Sequence, residues 1–212
     1  EELEDQPGVG AAGGIVRLAS NPTSFQRDVW QLMIHPFGTG GPDYRKSEEP
    51  NETETVQSPV YRRSALVEAE GFREDIPWAE DDELHNRLQT LDWGIRINPG
   101  ANLYYSPRKN WRSFMIQFHN YGQGRGSLAS EGIFPVERHH RIDVALMLWT
   151  FGFVWNPVGW ALALFYLAGV GLITIEECIQ TGRGWRLLYL FPLAHSSYWI
   201  GWLKTRFRRY LP

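Results

Sequence analysis

Residues 71–107 read GFREDIPWAEDDELHNRLQTLDWGIRINPGANLYYSP, and this stretch carries most of the information about the fold. Four consecutive acidic residues, 80–83, stand directly before leucines at helical spacing. Leu84, Leu88 and Leu91 recur at i, i+4 and i+7, which predicts an amphipathic helix. An Asn-Pro-Gly turn then separates two short segments typical of β-strands. The stretch therefore predicts helix followed by strand structure.

The residues before this stretch alternate between strand and helix signals in the same way. Residues 13–18 predict a short strand after a glycine turn, and residues 24–35 predict a helix with Ser24 as its N-cap. Residues 37–55 are rich in Gly, Pro and charge, which predicts a loop. Residues 58–72 predict an extended entry followed by a short helix. This mixed order favours a layered α/β architecture.

The chain becomes apolar towards its C-terminal end. Residues 110–126 predict an amphipathic helix that ends in its glycines, and residues 144–175 form a run of 32 residues without a charge. A second apolar run covers residues 185–203. About 20 apolar residues cross a bilayer core of roughly 30 Å. The fold class predicted is therefore an α/β domain followed by a transmembrane helical region.

The number of spans depends on how the first run is divided at Asn156. Basic residues flank both ends of the apolar region, with Arg138 and Arg141 before it and the cluster 204–209 after it. Two spans would place both basic ends in the cytoplasm, as the positive-inside rule prefers, whereas three spans would place the last cluster outside. We expect a multi-pass protein of the cell membrane with two spans and with the polar domain on the cytoplasmic side.

Composition limits the classes of function. A net charge of -3 gives no indication of nucleic-acid binding, and no nucleic-acid partner is expected. Ten tryptophans, eight of them after residue 90, suit a protein at a membrane interface. Cys178 is the single cysteine, so an intrachain disulfide and a cysteine-only metal site are excluded.

The acidic run has an ordinary structural explanation. Asp and Glu in the first turn of a helix are favoured by the helix dipole and by free backbone N–H groups, each by roughly 0.3–1 kcal/mol. Glu83 and Arg87 are spaced i, i+4 for a surface ion pair. On this interpretation the run is only a good helix start. The alternative is that one of its carboxylates performs chemistry.

The neighbouring motifs favour the alternative, because as a set they resemble inverting family 2 glycosyltransferases. In that family a glycine–phenylalanine stretch leads into an "ED-x-EL-x-x-RL" helix, then "G-x-x-I-x-x-x-P" and a strand, and later membrane spans. The counterparts here are Gly71-Phe72, Glu80-Asp81-x-Glu83-Leu84, Arg87-Leu88 and Gly94 to Pro99. The nearest subgroup is the membrane-attached ExoA-like enzymes of exopolysaccharide assembly, and the resemblance covers nearly the whole chain.

The resemblance implies a GT-A domain, the nucleotide-diphospho-sugar transferase fold, and assigns roles within the acidic run. An inverting transferase needs a base that deprotonates the acceptor hydroxyl as it attacks the sugar. By resemblance Asp81 is this base. Glu80 precedes it in the motif, Glu83 orients the helix or contacts the acceptor, and Asp82 faces solvent.

The family's "Q-x-x-R-W" helix is matched only in part, and it implies substrate-binding residues. Gln117 stands at the first position, Asn120 replaces the arginine and Tyr121 replaces the tryptophan. A cation facing the diphosphate would stabilise charge on the leaving group, and Arg125 is placed to take that role. Its alternative is a contact with solvent or lipid headgroups.

Three further sites have both a functional and a structural interpretation. Arg62 and Arg63 could meet phosphate in the donor or acceptor, or could be solvated surface residues. The adjacent pair 139–140, two histidines, has no spaced carboxylate around it, so a metal site is not expected. His195 lies inside an apolar run, where we expect a hydrogen bond within the helical bundle.

The family's metal-binding Asp-x-Asp motif does not occur in the sequence. The resemblance implies that an intact parent enzyme uses Mg²⁺ or Mn²⁺, and that its donor-binding half would precede this chain. We therefore expect a partial GT-A domain: residues 1–140 form its acceptor half, and residues 141–212 form the membrane region with two or three helices and a basic tail. Such a fragment is expected to be inactive alone.

The resulting hypothesis is an enzyme that moves a sugar from a nucleotide-sugar donor to a lipid-linked or polysaccharide acceptor at the cytoplasmic membrane face, with inversion. A different class of function is a non-catalytic, membrane-anchored binding module in which the acidic run is a surface feature. A channel or transporter is disfavoured, because one intramembrane histidine offers little pathway.

Overall fold

The computed structural model describes residues 2–39, 42–47, 49–133 and 157–206. Its strands are β1 (Val9–Leu18), β2 (Asn51–Glu52), β3 (Val60–Tyr61) and β4 (Gly94–Tyr105). Its helices are α1 (Glu2–Asp5), α2 (Ser24–Ile34), α3 (Pro36–Thr39), α4 (Arg63–Glu68), α5 (Glu80–Thr90), α6 (Trp111–Ser130), α7 (Pro157–Thr181) and α8 (Leu187–Arg206). A 3-10 turn covers Asp43–Arg45. The mixed α/β order predicted for the first part of the chain is confirmed.

The sheet has four strands in the order β2-β4-β1-β3. The two long central strands are parallel, with Val9 opposite Gly94 and Leu18 opposite Tyr105. The two short edge strands are antiparallel to their neighbours. The parallel central pair brings the segments just before β1 and β4 to one end of the sheet.

β4 corrects one sequence prediction. Two strands around an Asn-Pro-Gly turn were expected, but one strand runs from Gly94 to Tyr105. The partners on β4 jump from Asn98 to Asn102 between Gly14 and Ile15, so the intervening residues bulge out of the ladder. β1 pairs with the chain on both sides of the bulge, and this pairing keeps the two halves in line.

Two groups of buried side chains form the core. The first lies between the sheet and helices α4 and α5, where Leu84 and Leu88 are fully buried as their spacing predicts. Leu91 follows the end of α5 and is 38% exposed, so it does not continue this face. The second group joins α2, α6, α7 and α8 and includes Val29, Leu32, Met33, Phe114, Phe191 and Ala194.

Helix α6 continues through the glycines at which it was predicted to end. Its glycines are close-packing positions: a Cβ on Gly122 would collide with the Tyr198 carbonyl of α8, and one on Gly126 would lie 2.6 Å from the Trp202 carbonyl oxygen. Gly201 of α8 meets the His119 carbonyl of α6 in the same way. The contact between the two helix backbones therefore outweighs the weak helix propensity of glycine.

Helix α2 begins one residue earlier than predicted. Thr23, not Ser24, is the N-cap, and it forms a reciprocal capping box with Gln26. The buried Asp28 of this helix forms an ion pair with Arg186, 2.9 Å between Oδ2 and Nη1, directly before α8. This ion pair joins the middle of α2 to the start of α8.

The apolar region contains one helix that is long and apolar enough to cross a membrane within the described residues, Gly159–Thr181. Large apolar side chains are exposed on it, among them Phe165 at 81% and Ile179 at 78%. The predicted span 185–203 falls on α8, which packs along α6 and α2. Residues 144–156 of the first apolar run lie outside the described residues.

Candidate active site

An open cavity of about 1550 Å³ lies at the N-terminal end of α5. Asp81 and Asp82 line it from α5, Tyr121 and Arg125 from α6, and Tyr198 from α8. The 3-10 turn, the segments just before β1 and β4, and residues 52–58 also contribute to its wall. Residues from widely separated parts of the chain therefore meet at the acidic helix start.

Close contact with α6 fixes where α5 begins. Ala79 precedes the helix in the left-handed region, with φ of 63°, and its side chain provides no cap. Gly124 of α6 faces this turn, and a Cβ added to it would lie 2.8 Å from the Ala79 Cβ and from the Trp78 carbonyl oxygen. Only a residue without a side chain lets the α5 start approach α6 this closely.

The Asp81 carboxylate lines the cavity and accepts a hydrogen bond from the backbone N–H of Asp82, 2.9 Å long. Burial, reinforced by the neighbouring Asp82 charge, raises the pKa of Asp81 to about 6. The dipole of the helix start favours the ionised carboxylate, but burial and like charge have the larger effect on the pKa of Asp81. The result is a carboxylate that is a better proton acceptor than an ordinary aspartate and is still mainly ionised at pH 7.

Asp82 corrects the expectation that it faces solvent. Its side chain is 16% exposed, and its Oδ2 lies 2.8 Å from Nη2 of Arg125. Its other oxygen accepts a hydrogen bond of 3.2 Å from the Thr55 hydroxyl. Both oxygens are therefore held by side chains from other elements.

The two glutamates of the run lie away from the cavity lining. Glu80 is exposed at the first position of α5. Glu83 is 2% exposed and forms an ion pair of 2.7 Å with Arg87. Arg87 also donates to the carbonyls of Ala69 and Gly71, so the pair ties α5 to the end of α4.

The predicted phosphate-binding pair Arg62 and Arg63 is also outside the cavity lining. Arg62 donates to the carbonyls of Val9 and Gln6, at 2.9 and 3.0 Å, and to that of Leu3. It thereby holds the N-terminal segment. Arg63 is exposed at the start of α4.

The residues predicted on α6 fall into two places. Tyr121 and Arg125 line the cavity. Gln117 is buried behind Tyr121 and donates to its hydroxyl at 2.6 Å and to that of Tyr105 at 2.8 Å. Arg108 donates to the Gln117 amide oxygen at 3.3 Å. Gln117 therefore positions Tyr121 and does not face the cavity itself.

Sequence analysis missed the contribution of the 37–55 loop. Tyr44 and Arg45 line the cavity, and the Arg45 guanidinium carbon lies 5.1 Å from the Tyr44 ring centre. Nη1 of Arg45 donates to the Met33 carbonyl at 3.3 Å, which anchors the turn to α2. An adjacent aromatic and basic residue within a Gly- and Pro-rich loop was the available signal.

His195 lines the same cavity from α8, and its hydrogen bonds agree with the bundle contact expected for it. Its Nε2 donates to the Phe37 carbonyl at 2.8 Å, so its Nδ1 accepts from the Tyr166 hydroxyl at 2.7 Å. This places α3 and α7 against α8. Within the described residues, no group of three or more His, Cys, Asp or Glu side chains is arranged to hold a metal ion.

Comparison with known protein families identifies the class of protein. The family model described as "Glycosyl transferase family group 2" matches residues 58–203, which include α5, β4, α6, α7 and most of α8. The chain belongs to this glycosyltransferase family. A comparison with curated proteins gives no match. Family membership implies glycosyl transfer from a nucleotide-sugar donor to an acceptor, and the mixed sheet with its flanking helices is consistent with a GT-A-like domain.

Proposed function

We propose that this chain forms the acceptor side of an inverting, membrane-attached glycosyltransferase of the ExoA-like kind, with Asp81 as the general base. The acceptor is a hydroxyl of a lipid-linked or polysaccharide substrate. One observation carries the proposal: the Asp81 carboxylate lines the cavity, where burial raises its pKa to about 6. A base with a pKa just below the working pH combines ionisation with proton affinity.

In the proposed reaction the acceptor hydroxyl gives its proton to Asp81 as its oxygen attacks the anomeric carbon of the donor sugar. The bond from that carbon to the diphosphate oxygen breaks, and its electron pair leaves with the nucleoside diphosphate. Attack from the face opposite the leaving group inverts the anomeric configuration. Asp81 is ionised before the step and protonated after it.

The cationic and aromatic side chains of the cavity suit the substrates. Arg45 and Arg125 line it, and we assign them to phosphate groups, because guanidinium N–H groups match phosphate oxygens. The ring of Tyr121 offers an apolar face for a sugar ring. Glu80 and Glu83 contribute to the start and anchoring of α5, and Arg62 holds the N-terminal segment.

A divalent ion is part of the proposal for the intact enzyme. Mg²⁺ or Mn²⁺, when bound, neutralises charge that develops on the diphosphate. Its usual Asp-x-Asp motif is absent from the sequence, and the described residues contain no clustered ligand set, so the proposal assigns it no ligands on this chain.

Membrane attachment is assigned to α7. Its outward face carries exposed Leu164, Phe165, Leu172 and Ile179. Lys204 and Arg206 end α8, and basic residues next to a membrane segment favour the cytoplasmic side. We therefore propose a cytoplasmic catalytic face, which is where nucleotide sugars are found.

The test is an assay of the full-length gene product in membranes, with release of nucleoside diphosphate measured over a panel of nucleotide sugars. Asp81→Asn keeps the size of the side chain and removes the base. We expect the release rate to fall by about 10²-fold or more, since a positioned general base contributes roughly 10²–10⁴-fold. Expression and membrane insertion should match wild type.

Glu74→Gln is the matched control, because Glu74 is an exposed acidic residue in the loop before α5 and outside the cavity lining. It should leave release unchanged. If Asp81→Asn releases nucleoside diphosphate as fast as wild type does, Asp81 is not the base. The acidic run would then be a helix start, and the binding-module alternative would gain support.

A further inference from the structure

A continuous line of hydrogen bonds leads from the sheet edge to the cavity. The Tyr61 hydroxyl lies 3.1 Å from His85 Nε2, and His85 Nδ1 lies 3.0 Å from the Thr55 hydroxyl. Thr55 donates to Asp82 at 3.2 Å, and the other Asp82 oxygen is 2.8 Å from Arg125. Building on the proposed function, we propose that Tyr61, His85 and Thr55 are positioning residues that hold Asp82, and through it Arg125, beside Asp81.

The donor and acceptor capacity of each group determines which atom carries each proton in this line of hydrogen bonds. A carboxylate only accepts, so the single Thr55 hydroxyl proton goes to Asp82. The Thr55 oxygen must then accept from His85, which makes Nδ1 the protonated ring nitrogen. His85 Nε2 is left with its lone pair and accepts from Tyr61. The geometry therefore specifies one neutral tautomer of His85.

The environment of His85 supports a neutral ring. Its side chain is 1% exposed, and burial lowers its pKa to about 4. Both ring nitrogens have partners, which removes the penalty that an unsatisfied buried imidazole would carry. The Tyr61 ring packs on the His85 ring at 5.8 Å and on Phe72 at 5.6 Å between centroids.

This line of hydrogen bonds joins elements that are distant in sequence. Thr55 lies in the loop between β2 and β3, Tyr61 on β3 and His85 on α5, whereas Arg125 belongs to α6. A purely structural contact at His85 would be served by an apolar side chain of similar size. Instead the hydrogen bonds run in one direction and end on a carboxylate that holds a cavity arginine. This arrangement fixes the guanidinium that faces the leaving group.

The decisive variants are at Thr55. Thr55→Val keeps the side-chain shape and removes the hydroxyl, so Asp82 and Arg125 lose their fixed orientation. We expect kcat for nucleoside diphosphate release by the full-length protein to fall about tenfold, the order expected for loss of one hydrogen bond to a charged group. KM for the nucleotide sugar should stay close to wild type. Thr55→Ser restores the hydroxyl and should restore kcat to within about twofold of wild type.

Thr90→Val is the matched control, because the Thr90 hydroxyl bonds only to the Asn86 carbonyl of its own helix among the hydrogen bonds of the described residues and lies outside the cavity lining. It should leave kcat unchanged. The proposal is overturned if Thr55→Val retains wild-type kcat. It is equally overturned if Thr55→Ser falls as far as Thr55→Val, since that result would indicate packing alone.

A spectroscopic measurement tests the line of hydrogen bonds without reference to catalysis. In protein labelled with ¹⁵N-histidine, the His85 signals, assigned with His85→Gln, should report Nδ1–H and unprotonated Nε2 at pH 7. Thr55→Val should weaken this preference. An Nε2–H tautomer or a charged His85 ring in wild type overturns the proposed line of hydrogen bonds. This result does not depend on Asp81. It therefore distinguishes failure of the proposed positioning role from failure of the base assignment.

Discussion

Asp81 and Asp82 are adjacent and chemically identical, but their carboxylates have different partners. Both line the cavity, but Asp82 is held by Arg125 and Thr55, whereas Asp81 accepts a hydrogen bond from a backbone N–H. Burial and the Asp82 charge raise the pKa of Asp81 to about 6. The pairing of one aspartate thus leaves the other as the proposed base.

The pKa of Asp81 predicts the acid limb of the pH profile. Activity should fall as pH drops through about 6, because the base becomes protonated. Asp82→Asn removes a charge that raises the pKa of Asp81, so the limb should move to lower pH. Measurement of kcat/KM against pH for both proteins checks this. A limb that stays in place would show that Asp82 does not influence the titrating group.

The same pKa has an opposite effect on stability. The folded-state pKa of Asp81 lies above the ordinary aspartate value of 3.8, so between about 3.8 and 6 the folded chain binds more protons than the unfolded chain. This group therefore favours the folded state most at low pH, and that contribution is lost as pH rises through about 6. Activity and this part of the stability change in opposite directions.

At the level of elements, the contact between α6 and α8 determines the position of Arg125 and Tyr121. Gly122 and Gly126 face backbone carbonyls of α8, and Gly201 faces one of α6. The backbones can approach this closely only where side chains are absent. The cavity wall formed by α6 therefore depends on glycines that make no contact with the cavity.

Gly122→Ala is predicted to destabilise the protein, because its Cβ would collide with the Tyr198 carbonyl, which is backbone and cannot rotate away. Overpacking of this kind typically costs about 1–3 kcal/mol. The thermal midpoint of the purified protein should fall accordingly. Gly169→Ala in α7 is the matched control: a Cβ there meets nothing within 4 Å, so its midpoint should hold or rise. Equal midpoints for the two variants would contradict the close-packing interpretation.

At the scale of the whole molecule, exposed apolar surface is concentrated on α7. Its inner face packs on α8 through Val170 and Tyr166, whereas Phe165 and Leu172 are 81% and 69% exposed. One face of α7 thus packs on the protein while the other exposes large apolar side chains, and this supports the proposed attachment to a membrane.

Replacement of both Phe165 and Leu172 by lysine should move protein from the membrane pellet to the soluble fraction. A lysine in the hydrocarbon region costs roughly 2.5–3.5 kcal/mol at the centre of a span. Fractionation after alkaline extraction measures the change. Lysines at Val60 and Val67, which are 68% and 70% exposed on the sheet side, form the matched control and should not alter the distribution. Unchanged pelleting of the α7 variant would remove α7 as the anchor.

The sequence by itself determined the start and inner face of α5, the apolar character of α7 and the family motifs around Asp81. These properties depend on spacing and composition over a few turns of chain. The family motifs also assigned the proposed base to the acidic run. The helix start, its buried Leu84 and Leu88, and the family assignment are all confirmed.

Only the tertiary structure decided how the acidic residues differ. Asp82 contacts Arg125 of α6 and Thr55 of the loop after β2. Glu83 is joined to the end of α4 through Arg87. Asp81 lines the cavity with a backbone N–H as its donor. The continuation of α6 through its glycines was decided in the same way, by contact with α8. The physical reason is that burial, ion pairing and backbone approach depend on residues far away in sequence, which local spacing does not encode.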